Sequence, residues 1–241
     1  MKRMLLLSLG DLKNISRDPM LSIVLISPLL LAVVMKAVLP LAAAVAMDRL
    51  SIDLTVHYPF ILSMTFPFVP MLVGMLAGLI ILEDLDENML AYFAVTPVSK
   101  AGYLVYRVTA PALLSFFLTL VMVWIIGLVP VNYPRLILVL LMASLEAPMM
   151  ALFLGAFAAN RIEGLALTKA FGIFLLAPLP GYLIKSPWQL AAGVLPPYWV
   201  SRSFLAGMEG RPLFGILIAA GFLVHALYIY PLLGRFNRKA M

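Results

Sequence analysis

Apolar residues fill the chain in six long blocks, and segments of more mixed composition separate them. The blocks are Met20–Leu39, Pro59–Leu82, Val108–Val129, Leu136–Ala159, roughly Ala170–Ile184, and Pro212–Gly234. A helix crosses the hydrocarbon core of a bilayer with about 20 predominantly apolar residues. The pattern therefore predicts an all-α integral membrane protein with six transmembrane helices, arranged as one permease domain over residues 1–241.

The fifth block is short, and two prolines and a glycine interrupt it. The segment after it, residues 185–211, is too apolar for an ordinary loop and too interrupted for another straight span. Its aromatic residues Trp188, Tyr198 and Trp199 suit the boundary between lipid and water. We expect an extracytoplasmic helical pair that is re-entrant or lies on the membrane surface. Such an interrupted segment is stable at membrane depth only where protein packs against it.

The first 19 residues place apolar and polar positions on opposite sides of a helix. At about 100° per residue, the apolar side holds Leu5, Leu9, Leu12 and Ile15, and the polar side holds Asp11, Lys13, Asn14 and Arg17. The apolar stretch is shorter than that of a signal peptide, and no small-residue cleavage site follows it. The pattern predicts an amphipathic interfacial helix before the first crossing, with a frayed basic tail as the alternative.

Composition supports the membrane assignment and favours lipid over nucleic acid as a partner. Of 241 residues, 64% are hydrophobic and 12% are charged, and the mean hydropathy is +1.08. Soluble domains run near half apolar and about a quarter charged. The formal charge of +6 suggests lipid headgroups, because no soluble basic module for nucleic acid is visible. The absence of cysteine excludes disulfides and thiolate metal sites.

Lysine and arginine are unevenly divided between the two sides of the predicted bundle. With the N-terminus inside, the inner segments hold Lys2, Arg3, Lys13, Arg17, Lys100, Arg107, Arg161, Lys169, Arg235, Arg238 and Lys239. The outer side holds Lys36, Arg49, Arg135, Lys185, Arg202 and Arg211. Cytoplasmic segments carry the excess of these residues, so we expect both termini in the cytoplasm.

The densest negative charge follows the second block directly. Four acids fall within five positions: Glu83, Asp84, Asp86 and Glu87. Leu85, Met89 and Phe93 recur every four positions and form one helical stripe. Acids at the start of a helix suit its dipole, and Thr96-Pro97 would end that helix. The pattern predicts a short helix across the cytoplasmic mouth whose apolar ridge marks a partner surface, with a solvated connector as the alternative.

This segment resembles the corresponding segment of the permease subunits of type 2 ABC exporters. That family reads roughly E-x-E-x-G-T-L-E-x-L-x-x-[ST]-P-[VL]-[ST]-[RK], with a basic residue at the start of the third span. The matching positions are Glu83, Glu87, Leu90, Thr96, Pro97, Val98, Ser99, Lys100 and Arg107. Asn88-Met89 departs from the family's Gly-Thr. The likeness covers nearly the whole chain and is nearest to the fluoroquinolone and drug-export permease group.

The resemblance implies a prokaryotic exporter of drug-like or lipid-like molecules whose ATPase is a separate subunit. In that family this loop, residues 83–107 here, holds a coupling helix that sits in a groove of the ATPase. The implied contacts are Glu83, Asp84, Leu85, Asp86, Glu87, Met89, Leu90, Phe93, Thr96 and Pro97. Two ATPase copies would bind ATP and Mg, and two permeases would pair as a homodimer or a heterodimer. The acids would steer docking while the apolar ridge fills the groove.

Motifs for nucleotide and metal chemistry are missing from the sequence. It contains no G-x-x-x-x-G-K-[ST], no Gly-Lys pair, no G-x-G-x-x-G and no H-E-x-x-H. We therefore expect a transporter subunit rather than an enzyme, which binds no cofactor and leaves ATP hydrolysis to its partner.

Two ionisable residues lie near the predicted bilayer centre, Glu146 in the fourth block and His225 in the sixth. A carboxylate at that depth costs several kcal/mol unless it is protonated, paired or hydrated. Both residues are candidates for the translocation path, and a hydrogen-bonded structural carboxylic acid is the alternative for Glu146. The same two residues support a competing hypothesis, a proton-coupled secondary transporter, although six spans without a clear inverted repeat are few for that class.

Small residues and prolines predict where helices touch and bend. Gly74-x-x-x-Gly78 and Gly155-x-x-x-Ala159 permit close approach of two helices. Prolines in the second and fourth blocks are expected to kink or loosen those helices.

Overall fold

Helices make up the fold in the computed structural model, which describes residues 19–87, 89 and 99–240. No strand occurs within those residues. The α-helices are α1 (Pro19–Leu50), α2 (Tyr58–Thr65), α3 (Phe68–Asp86), α4 (Ser99–Ile126), α5 (Tyr133–Ser144), α6 (Glu146–Phe157), α7 (Arg161–Ala170), α8 (Pro178–Leu183), α9 (Pro196–Met208) and α10 (Phe214–Ala240). Three 3-10 helices join them: Leu54–His57, Phe171–Leu176 and Pro187–Val194.

Two sets of predictions lie outside the described residues. One is the N-terminal interfacial helix, of which only Pro19 is described. The other is the end of the acidic segment, with Leu90, Phe93, Thr96 and Pro97. Both stay predictions.

Six stretches of the described chain are long and apolar enough to cross a membrane, as the hydrophobic pattern predicts. They are Ser22–Leu50, Leu54–Asp86, Gly102–Ile126, Tyr133–Phe157, Arg161–Leu183 and Phe214–Lys239. The second span combines α2 and α3, the fourth combines α5 and α6, and the fifth combines α7 and α8 with a 3-10 helix between them. The predicted fold class is confirmed.

Two boundaries differ from the prediction by more than the others do. Helix α1 continues through Pro40 to Leu50, whereas the predicted span ends at Leu39. A proline removes one helical hydrogen bond, and the alanine-rich stretch after it is favourable enough to continue the helix. The fifth span begins at Arg161, not near Ala170, because Asn160 caps α7 by accepting a hydrogen bond from the Glu163 backbone N–H at 3.0 Å.

The second and fourth spans form the centre of the bundle. In their most apolar windows 83% and 72% of the residues are buried, against 17% in the first and last spans. Glycine lets α3 and α6 approach: a Cβ added at Gly74 would lie 2.4 Å from the Ala147 carbonyl oxygen, and one at Gly78 would lie 2.7 Å from Leu154. Gly155 likewise faces Phe236 of α10. These contacts confirm the role predicted for the glycines.

Breaks in the central spans fall beside prolines. Helix α2 ends at Thr65 and α3 begins at Phe68, with Pro67 between them. In the fourth span the helix is interrupted at Leu145, three residues before Pro148. A proline has no N–H for the helical ladder and crowds the preceding turn, which explains both positions. The second break places Glu146 at the first position of α6.

The segment before the last span runs beside the middle of α10. The Tyr228 hydroxyl donates to the Val194 carbonyl at 3.0 Å, and Trp199 packs against Gly221. At about 1.5 Å per residue, Tyr228 lies roughly 21 Å along the axis from Phe214. Helix α9 then returns toward the start of α10, where Gly207 packs against Phe214. The re-entrant and extracytoplasmic placement of this segment stays a prediction.

Candidate functional site

The acidic cluster belongs to the end of the second span. Glu83, Asp84 and Asp86 lie in the last turns of α3, and Glu87 caps it with its N–H on the Glu83 and Leu85 carbonyls. The prediction that these acids begin a new helix is therefore wrong, because the helical ladder continues through them. Acids at a helix C-terminus are disfavoured by its dipole, so their charge needs compensation from other elements.

Asp84 has that compensation from α4. Arg107 Nη2 donates to Asp84 Oδ2 at 2.5 Å, and the Tyr103 hydroxyl donates to the same oxygen at 2.7 Å. Only 8% of the Arg107 side chain and 15% of the Asp84 side chain are exposed. The guanidinium carbon also lies 5.2 Å from the centre of the Tyr103 ring. Asp84 therefore fastens the end of the second span to the start of the third.

Basic residues of two further spans surround the other acids. Arg161 Nη1 of α7 lies 3.7 Å from Glu83 Oε2, and both side chains are partly exposed. Lys239, at the end of α10, donates to the carbonyls of Gly155 and Ala158 at the end of α6. A lysine there compensates the free carbonyls of the helix terminus. Five spans, the second to the sixth, thus meet at this end of the bundle.

The predicted apolar ridge is only partly available to a partner. Leu85 is half-buried and packs against two core clusters of the chain itself. Met89 is also half-buried, whereas Glu83, Asp86 and Glu87 are exposed. The ridge residues left for an outside contact are Met89 together with Leu90 and Phe93, whose placement is not described.

Glu146 and His225 come together across α6 and α10. His225 Nε2 lies 3.7 Å from Glu146 Oε1, and neither side chain is exposed to any extent. His225 Nδ1 lies 2.7 Å from the Gly221 carbonyl oxygen. A carbonyl only accepts, so Nδ1 carries the hydrogen and Nε2 is the atom that faces the carboxyl group.

This pair is incompletely hydrogen-bonded. Within the described part of the chain, both Glu146 oxygens and His225 Nε2 are buried without a hydrogen-bond partner. A distance of 3.7 Å permits electrostatic attraction but exceeds that of a hydrogen bond. Buried polar groups in this condition are costly and are common at functional sites. The arrangement can hold a proton between the two side chains or receive a polar ligand after a small movement.

Sequence reasoning missed Tyr103, Arg161 and Lys239 as partners of the acidic cluster. The i, i+4 spacing of Tyr103 and Arg107 puts both on one face of α4, which is a signal that the sequence does carry. Arg161 and Lys239 are distant along the chain and leave no local signal. No group of three or more metal-ligating side chains is present among the described residues.

The described residues form a helical bundle with six membrane-spanning stretches, and its central helices pack through glycines. Ionisable groups lie at membrane depth. This is the architecture of a membrane transport protein. The family model of the fluoroquinolones export permease protein Rv2686c-like family matches residues 11–233, and the chain belongs to this family. It is therefore an integral membrane permease of a drug-export family.

Two relatives from Mycobacterium tuberculosis support the assignment. They are the fluoroquinolones export permease protein Rv2686c of strain ATCC 25618 / H37Rv and the fluoroquinolones export permease protein MT2760 of strain CDC 1551 / Oshkosh. Each is 30% identical over 234 residues, which cover 95% of this chain and 92% of the relative. No solved structure matches the chain.

Proposed function

We propose that this chain is the membrane-spanning subunit of an ATP-driven ABC exporter that moves drug-like molecules out of a prokaryotic cell. Two copies, or one copy and a second permease, would form the pathway, and two separate ATPase subunits would bind ATP and Mg. The family name supports drug export, and the lack of a phosphate-binding loop in the sequence supports a separate ATPase.

One observation carries the proposal: ion pairs fasten both ends of the short segment between α3 and α4 to the bundle. Asp84, just before the segment, bonds to Arg107, just after it, and Glu83 faces Arg161 of α7. A partner that pushes on residues 87–99 would therefore move the second, third and fifth spans as one body. Rigid-body motion of packed helices is the usual way in which such a push reorients a pathway.

This geometry changes the roles expected of the acids. Asp84 is committed to Arg107 and acts as an internal brace, and Glu83 is partly engaged with Arg161. The exposed Glu87 and Asp86 are better placed to steer an ATPase by charge. Leu90 and Phe93 remain the proposed apolar anchors, with Thr96-Pro97 ending the segment.

The decisive experiment is reconstitution of this chain with an ABC ATPase subunit that carries a phosphate-binding loop and comes from the same organism. We expect inside-out vesicles that contain both proteins to accumulate a fluorescent fluoroquinolone only when ATP and Mg are supplied. Permease alone should neither hydrolyse ATP nor accumulate the drug. ATP hydrolysis by the purified chain, or equal accumulation without the ATPase, would overturn the proposal.

Substitutions in the segment test the coupling itself. Phe93→Ala and Leu90→Ala should reduce co-purification of the ATPase, since truncating a buried anchor costs about 2 kcal/mol or more. Glu87→Gln is the matched polar control and should act mainly on the association rate at low salt. If both apolar variants assemble and transport like the parent, the segment is only a connector.

A second candidate function rests on the Glu146–His225 pair. Two buried ionisable groups from different helices, 3.7 Å apart, can carry a proton in secondary transport. The same vesicles separate the two functions: a pH gradient without ATPase or ATP would then drive uptake, and Glu146→Gln would abolish it.

The proposal places both termini in the cytoplasm, and single cysteines can test this because the chain has none. Ile162 of α7 is 81% exposed at the end that carries Arg161 and Lys239, while Glu209 is exposed at the opposite end. An impermeant thiol reagent should label Glu209→Cys in intact cells and Ile162→Cys only after permeabilisation. The reverse pattern would invert the topology.

A further inference from the structure

A cavity of about 520 Å³ opens between α6, the Phe171–Leu176 helix and α10. Cavities of about 300–1,000 Å³ are the usual size of small-molecule sites. This one lies toward the end of the bundle that carries Lys239, and no acidic residue lines it. It contains neither member of the Glu146–His225 pair, although Met149 and Tyr228, one turn beyond those residues, line it.

One wall of the cavity is aromatic. Phe153 and Phe157 of α6 stack at 4.8 Å between ring centres, and Phe171 and Phe174 of the neighbouring 3-10 helix stack at the same distance. Phe153 and Phe171 join the two stacks edge to face at 4.7 Å. Four rings thus form a continuous surface, against which a planar aromatic molecule gains more contact than a flexible acyl chain does.

Two arginines line the same cavity. Arg235 and Arg238 lie one turn apart on α10, and the Arg235 guanidinium carbon is 4.1 Å from the centre of the Phe157 ring. No described carboxylate lies within ion-pair distance of either guanidinium. A guanidinium stacked on a ring still presents its N–H edge, which binds a carboxylate or phosphate in bidentate fashion.

We propose that this cavity, defined by Phe153, Phe157, Phe171, Phe174, Arg235 and Arg238, binds planar aromatic carboxylates. The ring system would lie on the phenylalanines, and the carboxylate would bind the two arginines. The surrounding surface is apolar, with Phe157 and Ile173 exposed, so the ligand would enter sideways from the lipid phase. The proposal rests on drug export as the proposed function and adds where the chain receives its cargo.

The test measures binding to the purified permease in phosphatidylcholine nanodiscs, without ATPase or nucleotide. A failure of ATP coupling therefore leaves this result untouched. The probes are a fluoroquinolone, followed by its own fluorescence, and the ethyl ester of the same compound, which has the ring system without the anion. We expect the acid to bind the parent about tenfold more tightly than the ester.

Arg235→Gln combined with Arg238→Gln should weaken binding of the acid about tenfold and remove the preference over the ester. Arg49→Gln combined with Arg211→Gln is the matched control, since it removes the same charge from the outer end of the bundle. Ala170→Trp is a second variant, because Ala170 lines the cavity and is exposed, so a bulky side chain fills space without disturbing the core. It should weaken binding of acid and ester alike.

Equal binding of acid and ester to the parent, or unchanged binding by the double arginine variant, overturns the proposal. Repeating the titration with phosphatidylglycerol in the nanodisc distinguishes cargo from lipid, since both offer an anion. If the cavity receives cargo, the acid keeps its affinity within about threefold. If phosphatidylglycerol blocks the acid and co-purifies with the parent but not with the arginine variant, the occupant is a lipid headgroup and the cargo assignment is wrong.

Discussion

Asp84 and Glu146 are both carboxyl groups that face a cationic or titratable side chain on another span, yet their surroundings differ. Asp84 accepts hydrogen bonds from Arg107 and Tyr103 at 2.5 and 2.7 Å, near the cytoplasmic end of the proposed topology. Glu146 lies 3.7 Å from His225 and is completely buried, and within the described residues it accepts no hydrogen bond.

The difference separates a brace from a site that can change state. A buried ion pair contributes to a fixed structure only when its geometry is good and its remaining polar atoms are satisfied. Asp84 accepts two short hydrogen bonds from α4, and this geometry holds the second and third spans together. Glu146 and His225 lie beyond hydrogen-bond distance of each other, so their arrangement adds little to stability and leaves room for a proton or a ligand.

Among the substitutions considered, Asp84→Asn should lower the free energy of unfolding the most. The amide removes the charge that compensates Arg107, whose side chain is only 8% exposed, and we expect a loss of about 3 kcal/mol in the free energy of unfolding. Denaturant unfolding in detergent micelles would measure it. Glu87→Gln, at the exposed end of the same cluster, is the control and should change stability very little. A loss below about 1 kcal/mol for Asp84→Asn would show that the brace is unimportant.

Gly74→Ala should have the next largest effect on the free energy of unfolding. Gly74 lies on α3, the helix of Asp84, and contacts Ala147 of α6, the residue after Glu146. The added Cβ would lie 2.4 Å from the Ala147 carbonyl oxygen, and backbone cannot move aside as a side chain can. Overpacking of this kind costs about 1–3 kcal/mol.

Gly234→Ala in α10 is the matched control for that substitution, since nothing lies within 4 Å of its added Cβ. Alanine is the better helix former by up to about 1 kcal/mol, so this variant should be neutral or more stable. Equal destabilisation by both substitutions would contradict the tight contact between α3 and α6.

Glu146→Gln should cost less than about 1 kcal/mol, because the amide keeps the shape of the carboxyl group and its NH₂ can donate to His225 Nε2. The same carboxyl-to-amide change is thus expected to be severe at position 84 and mild at position 146. Unfolding of the two variants side by side is the sharpest test of the comparison. A loss at 146 as large as that at 84 would mean that the pair is a structural ion pair.

Much of the fold was predictable because it depends on local pattern. Apolar blocks predicted six spans, and glycines predicted close helix packing in the second and fourth spans. Similar depth in two blocks marked Glu146 and His225 as candidates for one translocation path, and the structure brings the two residues together. These inferences need only hydrophobicity, residue size and distance along a helix.

What the sequence pattern could not predict was tertiary compensation. The acids of α3 were expected to begin a helix, since charge near a hydrophobic block looks like a boundary. They continue the helix because Arg107 and Arg161, from other spans, neutralise them. Likewise α1 passes Pro40, where local rules stop it. Partners that are far apart along the chain leave no periodic signal.

Glu83→Gln should lower the free energy of unfolding the least. Its partner Arg161 is 3.7 Å away, the two side chains are 49% and 36% exposed, and exposed pairs contribute about 0–1 kcal/mol. A double-mutant cycle with Arg161→Gln should give a coupling energy in that range, which decreases as salt is added. If Glu83 also meets the ATPase, Glu83→Gln should slow assembly at low salt without lowering stability. A coupling energy as large as that of Asp84 with Arg107 would instead make Glu83 a second brace, and the steering role would then pass to Asp86 and Glu87.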